Sequence, residues 1–353
     1  MNTALYHNSN VSQWHINQCR LIGQQYTNLG EFLDSPHNNK FAIMHTPAFI
    51  DMSHFNSEVD QLKDKCNLIV LLTSEMHKDT IDFIEQINHP KIINFVCGAL
   101  NNGVSYKFWM DWFVTSTHFY QNNNILDRQL THWVTKPKFF DILLGQPKEH
   151  RTLIYNFAKQ FEDQLILTYF KDYQTSIQEY NEKNWIWESE GLEIPPHNFN
   201  FTVTPVRYYG ESMSLSQVVP ISIYNKTAYS VVCETNFDNN YSFFTEKTVK
   251  PILGRRLFLL FGGKYQLQNL RQLGFKTFDG IIDEGYDLVD STADRANLII
   301  NQMKYLMQQD QQKILDQVKP IAEHNYKLMI ETDWYGDFAK ELRAVLLDHT
   351  RQN

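Results

Sequence analysis

FAIMHTPAFI (41–50), CNLIVLLTSE (66–75), DTIDFIEQI (79–87) and KIINFVCGAL (91–100) together decide the reading of the fold. Short runs of β-branched and aromatic residues alternate with a stretch whose apolar positions recur at helical spacing. Strands that read as continuous apolar runs are covered on both faces, and strands separated by amphipathic helices build a parallel sheet. The pattern restarts at KFFDILLG (138–145), with a helix candidate in QPKEHRTLIYNFAKQ (146–160), where Pro147 sits at a first-turn position that tolerates it. DQLILTYF (163–170), TAYSVVCET (227–235) and RLFLLFGG (256–263) continue it. From Ala293 to His349 the chain reads as amphipathic helices, broken near Pro320 and Gly336.

Two successive α/β halves followed by helices predict an α/β protein of two Rossmann-like domains facing across a cleft. The expected division is 1–137 for an acceptor-side domain, 138–310 for a donor-binding domain, and 311–353 for C-terminal helices packing back across both. The first 40 residues are polar and carry no motif, and 172–205, rich in Trp, Glu and Asn, reads as an irregular excursion. At 353 residues the chain is long enough for two cores, and 42% hydrophobic with 14% aromatic residues excludes a disordered protein. A formal charge of -8 argues against a generally basic surface for nucleic acid. No apolar run approaches the roughly 20 residues that span a bilayer, and the start lacks a signal-peptide pattern, so the expected location is cytoplasmic. Cys19, Cys66, Cys97 and Cys233 have no zinc-like spacing and read as free thiols.

Charged residues directly follow three strand candidates. Glu75 closes LIVLLTSE; Gln146 to Arg151 follow the strand ending at Gly145; and a segment from Asn239 to Lys247 follows SVVCET. Taken singly, each is an ordinary cap or solvated loop residue. Taken together, at strand ends of a doubly wound sheet, Arg151 and Lys247 suit a diphosphate and Glu246 suits ribose hydroxyls.

The order of these motifs resembles the α-1,3-fucosyltransferases and their viral and phage-encoded relatives, of the two-domain GT-B type. In that family a Thr-x-Glu segment after a strand carries the general base, and LTSE (72–75) resembles it, placing Glu75 in that role. The family's diphosphate-holding turn, Arg and Tyr-bearing helix resemble FDILLGQPKEHRTLIYNFA, with Arg151 on the Arg, Tyr155 on the Tyr and Gln146 where the family has Asn; Gly145, just before the turn, is a further donor-site candidate. Its strand-Glu-Asn segment followed by Tyr-x-Thr-Glu-Lys resembles VVCET and FFTEK. Glu234, Thr245, Glu246 and Lys247 match in type, Asn240 lies between, and Phe243 replaces the Tyr, so that base or ribose recognition differs.

The resemblance implies a glycosyltransferase that moves a sugar from a nucleotide-sugar donor, as co-substrate, to a hydroxyl acceptor. It would be inverting and metal-independent, with no other cofactor. Two alternatives stand beside it: a phage-type enzyme glycosylating hydroxymethylated bases in DNA, drawing on KYQLQNLRQ, Arg207, Arg255 and Arg256, and a non-catalytic nucleotide- or glycan-binding relative. The acidic group Asp283, Glu284, Asp287, Asp290 and Asp294 reads as a loop and helix start rather than a cation site. His45 and His54, flanking Asp51, read as loop histidines, with a place on the acceptor side as the alternative.

Overall fold

In the computed structural model the described residues are 3–12, 23–46, 52–169, 190–193 and 205–351; most of the expected excursion, Asp51 and Cys19 lie outside them. The chain forms two compact units, Met1–Asp111 with Asp333–Asn353, and Trp112–Thr332. Each is a mixed α/β unit built on a parallel sheet. Among the described residues no helix is long and apolar enough to cross a membrane.

The first sheet comprises β1 (Thr3–His7), β2 (Gln24–Tyr26), β3 (Asn39–His45), β4 (Leu68–Thr73), β5 (Ile92–Val96) and β6 (Tyr106–Phe108). Its order is β2-β1-β3-β4-β5-β6, parallel throughout. Every residue of β4, LIVLLT, is buried, as a central strand covered on both faces requires. Helices α1 (Leu29–Asp34), α2 (Met52–Lys65) and α3 (Lys78–Gln86) connect the strands.

Two features of this unit exceed the sequence reading. Within the polar first 40 residues, TALYH is drawn into the sheet as the fully buried β1, paired with β2 and β3. Five residues with three apolar side chains are too short a signal to stand out among Asn and Gln. The last helix, Trp334–Arg351, also belongs to this unit. It buries Phe338, Leu342, Val345 and Leu346 against Leu5, Phe41, Val70 and Phe95, at the spacing of one helical face. Phe338 stacks on Trp109 with centroids 5.5 Å apart, and each such buried side chain contributes about 1.5–3 kcal/mol. Lys107 on β6 and Glu341 on this helix form a partly exposed ion pair of 2.6 Å.

The second unit holds β7 (Lys138–Leu143), β8 (Leu165–Thr168), β9 (Thr227–Cys233) and β10 (Phe258–Phe261), ordered β10-β9-β7-β8 and again all parallel. Helix α4 (Glu149–Ala158) follows β7, α5 (Glu246–Leu253) precedes β10, and α6 (Gln266–Gln272) follows it. Two long helices, Thr292–Gln308 and Gln311–Glu331, complete this unit.

At the end of the sheet opposite the strands' carboxyl termini, Arg256 closes the interior. Its guanidinium pairs with Asp141 at 2.7 Å and donates to the carbonyls of Tyr224, Thr227 and Tyr229. Asp141 also accepts from Thr227 and Ser230 hydroxyls at 3.0 Å. Both partners are buried, so removing one leaves the other charge uncompensated, at a cost of about 3–5 kcal/mol. Asp141→Asn keeps the shape and removes the charge; urea unfolding of the variant is expected to show a loss of that order, and a change under 1 kcal/mol would show that the pair does not hold the sheet.

Candidate anion site at the carboxyl ends of the second sheet

Three strand ends and two helix starts meet around Glu234 and Thr235, immediately after β9. Glu234 is fully buried. Its backbone N–H continues the ladder to the Phe261 carbonyl at 2.9 Å, and its own carbonyl accepts from His150 Nε2 at 2.9 Å and Arg151 Nη2 at 3.1 Å. The first turn of α4 is thereby fastened to the end of β9. Arg151 Nη1 reaches the Gln146 carbonyl at 3.1 Å, closing the turn between β7 and α4. A side chain at Gly145 would meet Arg151 only at ordinary contact distance, so this turn has no need of glycine.

The Glu234 carboxylate faces the other helix. Oε1 accepts from the Thr245 N–H and the Thr248 hydroxyl; Oε2 accepts from the Thr245 hydroxyl and the Thr235 N–H. Thr245 is the N-cap of α5, its hydroxyl accepting from the Lys247 N–H at 3.3 Å. The run Thr245-Glu246-Lys247 thus reads physically as a cap, an acid favoured by the helix dipole, and a base turned back toward β9.

Lys247 Nζ lies 2.8 Å from Glu246 and 3.2 Å from the Thr235 hydroxyl. Burial alone pushes the Glu246 carboxyl up, but Lys247 and Lys250 outweigh it and hold the group below its ordinary range. Lys148, which the sequence reading left out of the site, approaches from the other side and donates to the Thr235 carbonyl at 2.6 Å. Burial, with Arg151 and Lys247 nearby, pulls its ammonium down to about 8. His150 stacks on Phe237 at 4.5 Å. Burial and the adjacent Arg151 bring it to about 3, so it is neutral at physiological pH.

Arg151 is 5% exposed, and its Nε has no hydrogen-bond partner. Among the described residues no carboxylate lies within ion-pair distance of Arg151 or Lys148. The guanidinium's direct partners are carbonyls, the Glu234 and Glu246 carboxylates favour its charge from beyond ion-pair distance, and its Nε keeps a donor that an anion can use.

Of the residues singled out in the sequence, Gln146, Arg151, Glu234, Thr245, Glu246 and Lys247 come together here. Phe243 is fully buried in the interior, with its carbonyl accepting from Gln266. Asn240 is exposed on a turn, where its N–H binds the Asp238 carboxylate. The neighbouring Asn239 is the one tied in, accepting from Arg295 Nη2 and the Lys264 N–H. That turn packs so closely on Gly263 that a Cβ there would fall 1.9 Å from the Asp238 carbonyl oxygen, which makes glycine obligatory.

Glu75 belongs to the first unit, in the bend between β4 and α3. It is partly exposed, lies 3.9 Å from His77 and is not the helix cap. Beside this bend, Ser74 and His45 share a hydrogen bond of 3.1 Å.

The acidic group near Asp283 is dispersed among internal tasks. Glu284 accepts from Arg271, the Thr277 hydroxyl and the Phe278 N–H; Asp287 accepts from the first N–H groups of α6; Asp290 pairs with Lys264. No group of three metal-ligating side chains occurs among the described residues. Of the four arginines read for a DNA-binding surface, Arg207 is exposed and the other three are similarly engaged. Arg255 pairs with Asp127 and Glu323, Arg256 with Asp141, and Arg271 with Glu284.

No protein-family model matches the sequence, and no curated protein matches it. Among solved structures, the catalytic domain of starch synthase IV from Arabidopsis thaliana, bound to ADP and acarbose, is similar over 88% of this chain and 67% of that one. The identity is 11% and the TM-score 0.38, a loose likeness that says nothing of ligand or reaction.

The anchoring role of Glu234 has a direct test. In Glu234→Gln one oxygen becomes an NH2 group; the threonine hydroxyl facing it can turn to accept, but the backbone N–H, of Thr245 or of Thr235, cannot. The expected cost is about 1–3 kcal/mol, read by urea unfolding. Wild-type stability in this variant would show that the carboxylate does not hold the start of α5.

Proposed function

We propose that the chain is a glycosyltransferase of the GT-B type, moving a sugar from a nucleotide-sugar donor to a hydroxyl acceptor with inversion and without a metal ion. The observation that carries the reading is the convergence of buried Arg151, which has no direct ion pair, with Lys247 and the capped start of α5 at the carboxyl ends of a parallel sheet. Doubly wound sheets bind phosphates at that edge, where helix N–H groups and cationic side chains converge. The order of Thr-Glu-Lys and Arg segments, similar to that of the α-1,3-fucosyltransferases, adds sequence support.

In this reading Arg151 and Lys247 stabilise the diphosphate as it gains negative charge on leaving, in the place a divalent cation takes in other enzymes. Glu246, held ionised by Lys247 and Lys250, accepts from ribose hydroxyls. Glu234 and Thr245 position these groups through the contacts described above. The buried Phe243 offers no hydroxyl, and the donor is therefore not specified as GDP-fucose. Glu75 is assigned as the general base that takes the acceptor's proton. DNA as acceptor has little support, because Arg255, Arg256 and Arg271 are already paired with carboxylates.

Three outcomes are expected with purified protein and a panel of nucleotide sugars. Turnover of one donor survives EDTA. Arg151→Ala and Lys247→Ala each weaken nucleoside diphosphate binding by about 1.5–3 kcal/mol. Glu75→Gln cuts turnover roughly 10²–10⁴-fold while leaving that binding nearly intact. Binding without turnover of any donor would favour the non-catalytic relative, and wild-type turnover in Glu75→Gln would remove Glu75 as base.

A further inference from the structure

Lys148 is the cation of the anion site that neither the sequence motifs nor the donor assignment explains. It enters at the start of α4, and its Nζ makes one hydrogen bond, to the Thr235 carbonyl at 2.6 Å. An ammonium has three donors, so two remain. The other cations of the site differ from it. Lys247 is neutralised by Glu246 at 2.8 Å and also reaches two threonine hydroxyls. Arg151 is buried and spends both terminal nitrogens on carbonyls. Lys148 alone among these three is partly exposed without a carboxylate in ion-pair range.

The charges facing Lys148 can be enumerated from each element packed against it. On its own element are Arg151 and Glu149, of which Glu149 is exposed. From the α5 side come Lys247 and its ion-pair partner Glu246, and both Arg151 and Lys247 repel Lys148. Glu234, at the end of β9, presents its carbonyl to this side and keeps its carboxylate on the threonines. Such a convergence is electrostatically unfavourable with nothing bound, and an anion between the cations reverses its sign.

On the proposed reading of this site as a nucleotide-sugar donor pocket, we infer that Lys148 is a direct phosphate ligand, joining Arg151 and Lys247 around the diphosphate. Lys247 and Lys148 hold the hydroxyl and carbonyl of the same residue, Thr235, so both ammonium groups flank one short stretch of backbone. An anion with several oxygens, such as a diphosphate, satisfies them together; a neutral sugar or a nucleobase does not. With Lys247 already paired to Glu246, Lys148 contributes the part of the attraction that no carboxylate in ion-pair range cancels.

Inorganic pyrophosphate tests this without knowledge of the base or sugar. Calorimetric titration is expected to show wild-type binding, a roughly 10- to 100-fold loss in Lys148→Met, and retention of most of the affinity in Lys148→Arg, as follows from removing or keeping a charged hydrogen-bond donor. Lys148→Met is expected to melt at or above the wild-type temperature in the absence of ligand, because the loss of one bond to a partly exposed edge is set against relief from the repulsion of Arg151 and Lys247.

A second readout uses the unaltered protein. Acetylation of Lys148 by acetic anhydride near pH 8, followed by peptide mass spectrometry, is expected to slow several-fold when pyrophosphate is present, while exposed Lys159 reacts at the same rate. Binding by the wild type with neither protection of Lys148 nor loss in Lys148→Met would overturn the assignment of Lys148 and leave the donor site standing. If the wild type binds no pyrophosphate and Lys148 is not protected, the donor-site reading itself falls.

Discussion

The second unit depends on one residue used at both ends. The backbone carbonyl of Glu234 holds His150 and Arg151 at the start of α4, while its carboxylate holds Thr245 and Thr248 at the start of α5 and accepts from the N–H of the adjacent Thr235. Burying a carboxylate completely is costly unless its oxygens are hydrogen-bonded, and four donors offset that cost here. Two helix starts are consequently fixed against one strand end. The positions of Lys148, Arg151, Glu246 and Lys247 follow from that anchorage.

Most of the architecture is legible in the sequence because parallel strands buried on both faces are continuous apolar runs. LIVLLT and TAYSVVC are unmistakable on that ground, and both are buried throughout. The start of α5 is legible as well, since Thr followed by Glu and Lys is a cap with complementary charge. The short β1 is not, because its burial comes from partners at Gln24–Tyr26 and Asn39–Ile43 rather than from its own composition. The last helix has an apolar face that any sheet could accept; Phe338 stacking on Trp109 is a contact that only the folded chain reveals.

The site was legible as a set of residues but not as a division of labour. Sequence places Glu234, Thr245, Glu246 and Lys247 near one another, yet it does not tell which side chains turn inward. Glu234 and Phe243 do, the first onto threonines and the second into the core. Lys148 does not stand out in the sequence, because a Lys between Pro and Glu at a helix start is an ordinary surface residue. Its importance arises from Thr235, 87 positions later, whose carbonyl receives it. Long-range packing, not local pattern, separates residues that position from residues that remain available to a ligand.

Hydrogen–deuterium exchange with and without a panel of nucleoside diphosphates tests the central claim most directly, because it reports where a ligand binds without altering any residue. The account predicts slower exchange for at least one nucleotide in 144–152 and 234–248, the backbone around the two helix starts, with the far ends of the same strands unchanged. Binding accompanied by protection elsewhere, with these two segments unaffected, would contradict it.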